Sequence, residues 1–298
     1  SRPILPDTPD GVSFSKRTQK TTKADLNGAI KSTGQIDKFR YGVLLASEDD
    51  TDLIADDNKT YNQIGRDFGV FRLLYENTDN GDTRGLGFIS TTVTKPETDS
   101  VVNAADFHYL SESGRWKADG QYILSKTHED GSGKGGFFDI VYSPEKGKRN
   151  QLKMSVFDKK MEINDLGFNQ RKNVKDIQYN YTSINSDSTR FRDTQLNGYM
   201  RYGENFDGHR ISNAIGGSVN LTLNNLNEIQ GSFAHWPTRF EDRESYGNGT
   251  FKLRPRQRLR FEYKTNPSES FSYGGTLTYQ AEDMKGRKAE GELEFTWY

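Results

Sequence analysis

Along most of this chain the side chains change character at every second residue. From Ile211 onward, Ile211, Ile215, Gly217, Val219, Leu221 and Leu223 share one parity, while Ser212, Ser218, Asn220 and Thr222 fill much of the other. Successive side chains of an extended strand point to opposite faces, so a period of two is the signature of a sheet with one apolar and one polar face. The helical spacing i, i+3, i+4, i+7 scarcely occurs, and the chain is therefore expected to be all-β. The same alternation runs through Trp116, Ala118, Gly120, Tyr122 and Leu124. It recurs in Leu196, Gly198, Met200 and Tyr202, in Phe271, Tyr273, Gly275, Leu277 and Tyr279, and in Ala289, Gly291, Leu293, Phe295 and Trp297.

Turn signals separate these segments at Gly34-Gln35, Asn77 to Asp82, Ser113-Gly114, Asn224-Asn225, Pro255-Arg256 and Lys285-Gly286. The segments number roughly 14 to 16 and run about nine to twelve residues, longer than the usual soluble strand and suited to a tilted membrane crossing. Short turns alternate with longer polar loops, such as Glu48 to Asn62 and Pro237 to Tyr246. That asymmetry between rims belongs to outer-membrane barrels. The expected architecture is an antiparallel transmembrane β-barrel over residues 24–298, after an N-terminal extension, 1–23.

Mean hydropathy is strongly negative. A barrel tolerates this, because half of each strand faces a polar lumen and the loops are solvated. Only 32% of residues are hydrophobic, yet 12% of the chain is aromatic, which separates it from disordered sequences. A soluble propeller or solenoid is the competing architecture, and no repeat of fixed period supports it. A net charge of -1 gives no pull toward phosphate backbones, so nucleic acid is not an expected partner. With no cysteine there is neither a disulfide framework nor a thiolate metal site. No apolar run is long enough for a transmembrane helix, and Ser1 to Gly11 lacks the apolar stretch of a signal peptide.

At the end of the chain Leu293, Phe295 and Trp297 alternate with Glu294 and Thr296, and the last residue is Tyr298. This resembles the carboxy-terminal signal by which bacterial outer-membrane barrels are recognised for assembly. An interfacial aromatic girdle would favour the same residues. Three further phrases carry a family resemblance: Asn164-Asp165-Leu166-Gly167-Phe168 with Arg171, Gly28-Ala29-Ile30-Lys31-Ser32-Thr33-Gly34, and Gly65-Arg66-Asp67-Phe68. From about Asn27 onward the chain resembles the carboxy-terminal outer-membrane barrel domain, of unknown function, of bacterial proteins that carry a family-nine-like carbohydrate-binding module. The resemblance implies a bacterial outer-membrane location and a barrel fold, with no established chemistry. Against that pattern the module and earlier barrel strands are missing ahead of Ser1. Two closures fit: the strands seal on themselves, or another chain completes the sheet.

No constellation compels a catalytic assignment. His108, His128, His209 and His235 are scattered, without zinc-helix spacing, and no G-x-S-x-G elbow occurs. Gly131-Ser132-Gly133-Lys134-Gly135-Gly136 matches G-x-G-x-x-G in letters, but a strand-like stretch follows where a dinucleotide site needs a helix, so a rim loop is expected. Glu48, Asp49, Asp50, Asp52, Asp56 and Asp57 crowd one loop without calcium-loop spacing; they form a weak divalent-ion candidate beside the simpler reading of a solvated acidic loop. Arg258, Arg260 and Lys264, interrupted by Glu262, share the polar parity of one strand, and Glu290, Glu292 and Glu294 share that of another. Facing charges of this kind can set the selectivity of a lumen, or can pair and fill it.

The expected function is a passive channel, or the membrane platform of a binding or assembly system, with no enzymatic chemistry and no cofactor. Expected partners are outer-membrane lipid, the barrel assembly machinery and a chain that completes the sheet. Two alternatives remain: a barrel enzyme acting on lipid or glycan, and a soluble saccharide binder stacking sugars on Trp116, Trp236 and Trp297.

Overall fold

The computed structural model describes residues 13, 24–94, 99–128, 131–186, 188–243, 249–282 and 286–297, and among these all regular structure is strand. In chain order the strands are β1 (Leu26–Ile36), β2 (Phe39–Glu48), a small hairpin of β3 (Thr51–Ile54) and β4 (Thr60–Gln63), β5 (Asp67–Asn77), β6 (Thr83–Thr94), β7 (Asp99–Leu110), β8 (Trp116–Thr127) and β9 (Gly131–Tyr142). There follow β10 (Lys148–Phe157), β11 (Val174–Asn185), β12 (Phe191–Glu204), β13 (Arg210–Leu223), β14 (Glu228–Trp236), a second small hairpin of β15 (Arg239–Glu241) and β16 (Phe251–Leu253), β17 (Arg256–Lys264), β18 (Phe271–Ala281) and β19 (Arg287–Trp297). Apart from the two hairpins, the strands form one 15-stranded sheet in which every strand pairs with its neighbours in the chain. All of these pairings are antiparallel. β1 and β19 are its two edges and do not pair with each other.

The alternation read from the sequence is continuous across the sheet. One row of paired positions runs Leu196, Val219, Gly231, Phe261, Leu277, Gly291, from β12 to β19. Another runs Tyr41, Leu73, Phe88, Ala105, Tyr122 from β2 to β8. These side chains are largely exposed, Leu277 at 65% and Tyr122 at 55%. The buried non-glycine residues of the sheet, among them Val93, Ala104, Ile123, Val174, Asp106, Ser125 and Glu262, all lie on the opposite parity. The sheet thus buries side chains only on its polar face and leaves its apolar face open, the reverse of a soluble sheet packed on a core.

The two rims differ as expected. On one, the connections are short: 37–38, 78–82, 111–115, 143–147, 186–190, 224–227 and 265–270. The other carries the three long connections, 49–66, 158–173 and 237–255, together with shorter ones such as 205–209. Gly34-Gln35 is not a turn. Both residues lie inside β1, and the chain reverses at Asp37-Lys38 with Asp37 at φ 51°. Gly34 instead leaves room for the ring of Tyr41, whose Cζ would lie 2.5 Å from a Cβ at that position. Likewise Pro255-Arg256 ends a long connection at the start of β17. Of Lys285-Gly286, the first residue lies outside the described residues.

Along the short-turn rim the apolar face carries a belt of rings that meet across neighbouring strands. Phe39 meets Tyr75 at 5.1 Å, Trp116 stacks on Tyr142 at 4.3 Å, Tyr263 meets Tyr273 at 6.1 Å, and Phe271 meets Trp297 edge-on at 6.1 Å.

Candidate functional site

The polar face is occupied by an inward-folded segment, 158–173, which links β10 to β11. Its base is pinned by the Asn173 amide, which donates to the Asp158 carbonyl at 3.0 Å, and by the Lys134 amide, which donates to the Asp158 carboxylate at 2.9 Å. From there Met161, 1% exposed, packs on Ala104 and Ile123 of the polar face, with Ile89, Val102, Phe157 and Ile163 around it. Ser125 fixes the height of the segment, its hydroxyl donating to the Met161 sulfur at 3.6 Å and accepting from the Glu162 amide at 3.1 Å.

The glycine-rich phrase explains why the segment fits there. Residues 131–136 are not a rim loop: they begin β9, and Gly133 lies beneath Lys160 and Met161. A Cβ on Gly133 would stand 2.5 Å from the Met161 nitrogen, so a larger residue would lift the segment off the sheet. Beyond Met161, the Asn164 side chain accepts from the Asn169 amide at 2.7 Å, closing a turn around Asp165-Leu166-Gly167-Phe168, and the Gly167 amide donates to the Ile163 carbonyl at 2.8 Å. Phe168 at its tip is 84% exposed.

On its far side the segment is tied to two other long-rim loops. Arg171 Nη2 donates to both oxygens of Asp242, at 2.7 and 2.8 Å; Asn205 Nδ2 donates to the same carboxylate at 2.9 Å; and Arg243 Nη1 reaches the Gln170 carbonyl at 2.9 Å. Lys159 pairs with Asp207. Between these loops lies a polar cavity of about 500 Å³, lined among others by Glu162, Asn164, Arg171, Asp242 and Arg243. Burial pushes the Asp242 carboxyl up, but the Asn205 amide and the Arg171 guanidinium together outweigh this and hold it below the ordinary aspartate range. The Lys159 ammonium holds Asp207 down in the same way.

Farther along the polar face, Arg72 of β5 reaches over Gly87 to Asp106 of β7. His108 Nε2 lies 2.9 Å from Asp106 Oδ1 and its Nδ1 lies 2.8 Å from Asp119 Oδ1, while Lys117 Nζ lies 2.8 Å from Asp119. Two cations and two carboxylates balance around one imidazole. The sequence gives no hint of this cluster, because its members come from three strands and meet only through the register.

The stripe of Arg258, Arg260 and Lys264 and the stripe of Glu290, Glu292 and Glu294 do share the polar face, but on the same wall. In register Arg260 aligns through Thr278 with Glu290, and Lys264 aligns through Gly274 with Glu294. The expected opposition across a lumen is corrected to two columns, on β17 and β19, with β18 between them. Glu262, which interrupts the basic stripe, organises it, accepting from Arg260 at 2.6 Å and from Lys264 at 2.8 Å. Lys288 pairs with Glu290 at 2.5 Å.

The acidic loop does not gather its carboxylates. Glu48 is buried against Arg66 at 2.8 Å, Asp49 caps the Asp50 amide, Asp50 accepts from the Gly65 amide, Asp52 from Asn62, Asp56 from Ser13, and Asp57 from the Lys59 amide and the Tyr61 hydroxyl. Each one fixes the loop rather than converging on a common point. Among the described residues no group of three or more His, Asp or Glu side chains is arranged so that it could hold a metal ion. Trp116, Trp236 and Trp297 are likewise engaged separately, with Tyr142, Arg256 and Phe271. Leu293, Phe295 and Trp297 project from the apolar side of edge strand β19, exposed at 75%, 66% and 83%; Tyr298 lies outside the described residues.

A family model described as Domain of unknown function (DUF5916) matches residues 14–297. The chain belongs to this family. Among curated proteins none matches it. Among solved structures, a bacterial polysaccharide outer membrane secretin aligns over 90% of this chain and 87% of its own, at 10% identity and a TM-score of 0.39.

Proposed function

We propose that this DUF5916 chain is the lipid-facing wall of a bacterial outer-membrane β-barrel. Its polar face lines a lumen narrowed by residues 158–173, and the barrel serves as a passive channel or, where the loops fill it, as a membrane platform without chemistry of its own. The supporting observation is the sidedness of the sheet. An exposed apolar face spans fifteen strands and is bordered at the short-turn rim by rings in mutual contact, while buried non-glycine side chains lie only on the polar face. A soluble protein does not leave so large an apolar surface in water. Lipid satisfies such a surface, and aromatic rings settle at its interface. Strands of nine to fourteen residues in the main sheet match a tilted crossing.

Outer-membrane lipid and the machinery that assembles barrels are the partners this reading requires. The experiment is flotation with liposomes followed by conductance in a planar bilayer. Purified protein should float with lipid and resist extraction at high pH, and an open lumen should conduct. Reversing Arg258 and Arg260 to Glu should shift selectivity toward cations, an effect that weakens near 1 M salt, where the screening length falls to about 3 Å. Protein that stays in the aqueous fraction sinks the membrane reading; protein that inserts without conducting favours the platform.

A further inference from the structure

The two edges of the sheet run in the same direction, because β1 and β19 are the first and fifteenth strands of an antiparallel meander, with thirteen strands between them. Each edge is eleven residues long. Every residue of β19, and all but one of β1, is exposed. In lipid, on the reading proposed above, the unpaired N–H and C=O groups of such edges have no water to bond, so both must be covered.

We propose that β19 is an acceptor edge for an antiparallel strand from outside these 298 residues, a strand with apolar side chains toward lipid and Lys or Arg at alternate positions on its polar side. It belongs to a set, odd in number, that bridges β19 to β1. Three observations select this occupant. The first is charge. Glu290, Glu292 and Glu294 stand in line on the polar side of β19, and β18 offers them Thr278, Thr276 and Gly274. Lys264 passes over Gly274, but its ammonium is bonded to Glu262, and Lys288 pairs with Glu290. Further cross-strand pairing for these glutamates is available only on the open side, since like charges aligned along a strand repel and opposite charges across a pair attract.

The second observation is direction. Direct closure of β19 on β1 would be parallel, as would pairing with β1 of a second copy held in the same orientation. Inverting a copy would put its long loops on the opposite side of the membrane. β1 also presents a single cation, Lys31, beside Ala29, Thr33 and Gln35. The third concerns the sequence ahead of β1. Ser13 hydrogen-bonds Asp56 on the long-loop rim, where β1 also begins. From Ser15 to Lys23 that sequence has no apolar side chain, and Pro3, Pro6 and Pro9 interrupt what precedes it.

The absence of cysteine makes the test clean. In neutral detergent micelles, an eleven-residue peptide alternating Val and Lys is compared with one alternating Val and Glu by fluorescence polarisation. The Lys peptide should bind at least about tenfold more tightly, a preference that contracts in 1 M salt as the Debye length falls to about 3 Å. Glu290→Lys/Glu292→Lys/Glu294→Lys should reverse it; if that variant does not assemble, Glu292→Lys alone should narrow it. Equal binding of the two peptides would overturn the proposal. So would a disulfide within one chain when Lys31→Cys is combined in turn with Glu290→Cys, Glu292→Cys or Glu294→Cys, because β1 would then cover β19 itself. Flotation of the wild-type protein separates failure of this inference from failure of the membrane assignment.

Discussion

Arg72 and Asp106 are bonded across an intervening strand: Arg72 Nη2 lies 2.8 Å from Asp106 Oδ1, and the guanidinium passes over Gly87 of β6. A Cβ at Gly87 would sit 2.5 Å from that same nitrogen. Gly87→Ala should therefore push the pair apart, leaving Asp106, whose side chain is 5% exposed, without its main partner. A charge-assisted bond of this kind contributes about 1.5–3 kcal/mol, and the variant should unfold at correspondingly lower urea. Gly198→Ala on β12, where a Cβ meets nothing within 4 Å, is the control and should be neutral or slightly stabilising. Equal midpoints for the two variants would mean that the pair is not formed.

Depth along a strand should grade the penalty for a lipid-facing charge. Leu277 lies near the middle of β18 and is 65% exposed on the apolar face, so Leu277→Arg should cost about 2–4 kcal/mol and hinder assembly. Leu221 has the same parity but sits two residues from the end of β13 at the turn rim, where Arg costs about 0–1 kcal/mol. Thr276→Arg, on the polar face, should assemble normally. Heat-modifiable migration of the three variants reads the order directly; a penalty at Thr276 matching that at Leu277 would contradict the assignment of faces.

These contrasts also show what a single sequence can carry. Period-two alternation in Leu196 to Tyr202 or Phe271 to Tyr279 is local, so strand identity, parity and the long-loop rim could be read from the residues themselves. Depth and register are not local. Leu221 looks as central as Leu277 until the pairing with Ile229 and Tyr263 places it at the rim. Gly133 reads as part of a flexible loop because the Lys160-Met161 backbone that needs its missing side chain comes from a distant segment. The rings of the belt are conspicuous one by one, but only the meander brings Phe39, Trp116, Tyr263 and Phe271 to one rim. Asn164 to Phe168 stood out as a phrase, whereas its role in an inward turn required the fold.

Acid should release residues 158–173 from the neighbouring loops. Asp242 and Asp207 are both held below the ordinary aspartate range, Asp242 by Asn205 and Arg171 against the opposing effect of burial, Asp207 by Lys159. A carboxylate whose folded pKa is depressed contributes stability that is fully present above the unfolded value, about 3.9, and is lost as pH falls through the folded one. Hydrogen exchange of 163–172, corrected for intrinsic rates, should thus stay unchanged from pH 7 to about 4 and accelerate only below it. Asp242→Asn should remove most of the transition. A wild-type midpoint near pH 6 would show that some other group governs the tie.

The loosest point at which to unseat the segment without touching the barrel wall is Met161. Its side chain is the buried plug between Ala104 and Ile123, and truncating a buried Met costs about 2–5 kcal/mol. Met161→Ala should weaken the seat, and Met161→Asp should abolish it, because an unpaired carboxylate in that position cannot be solvated while the segment stays down. Since 158–173 lies between strands and crosses none of their ladder bonds, both variants should still float with liposomes and migrate as folded protein. If the segment narrows a lumen, conductance should rise in the order wild type, Met161→Ala, Met161→Asp, and Gly133→Val should raise it too by lifting Lys160 from beneath. A series that folds and inserts with unchanged conductance would place the constriction elsewhere, at the loops joined through Asp242.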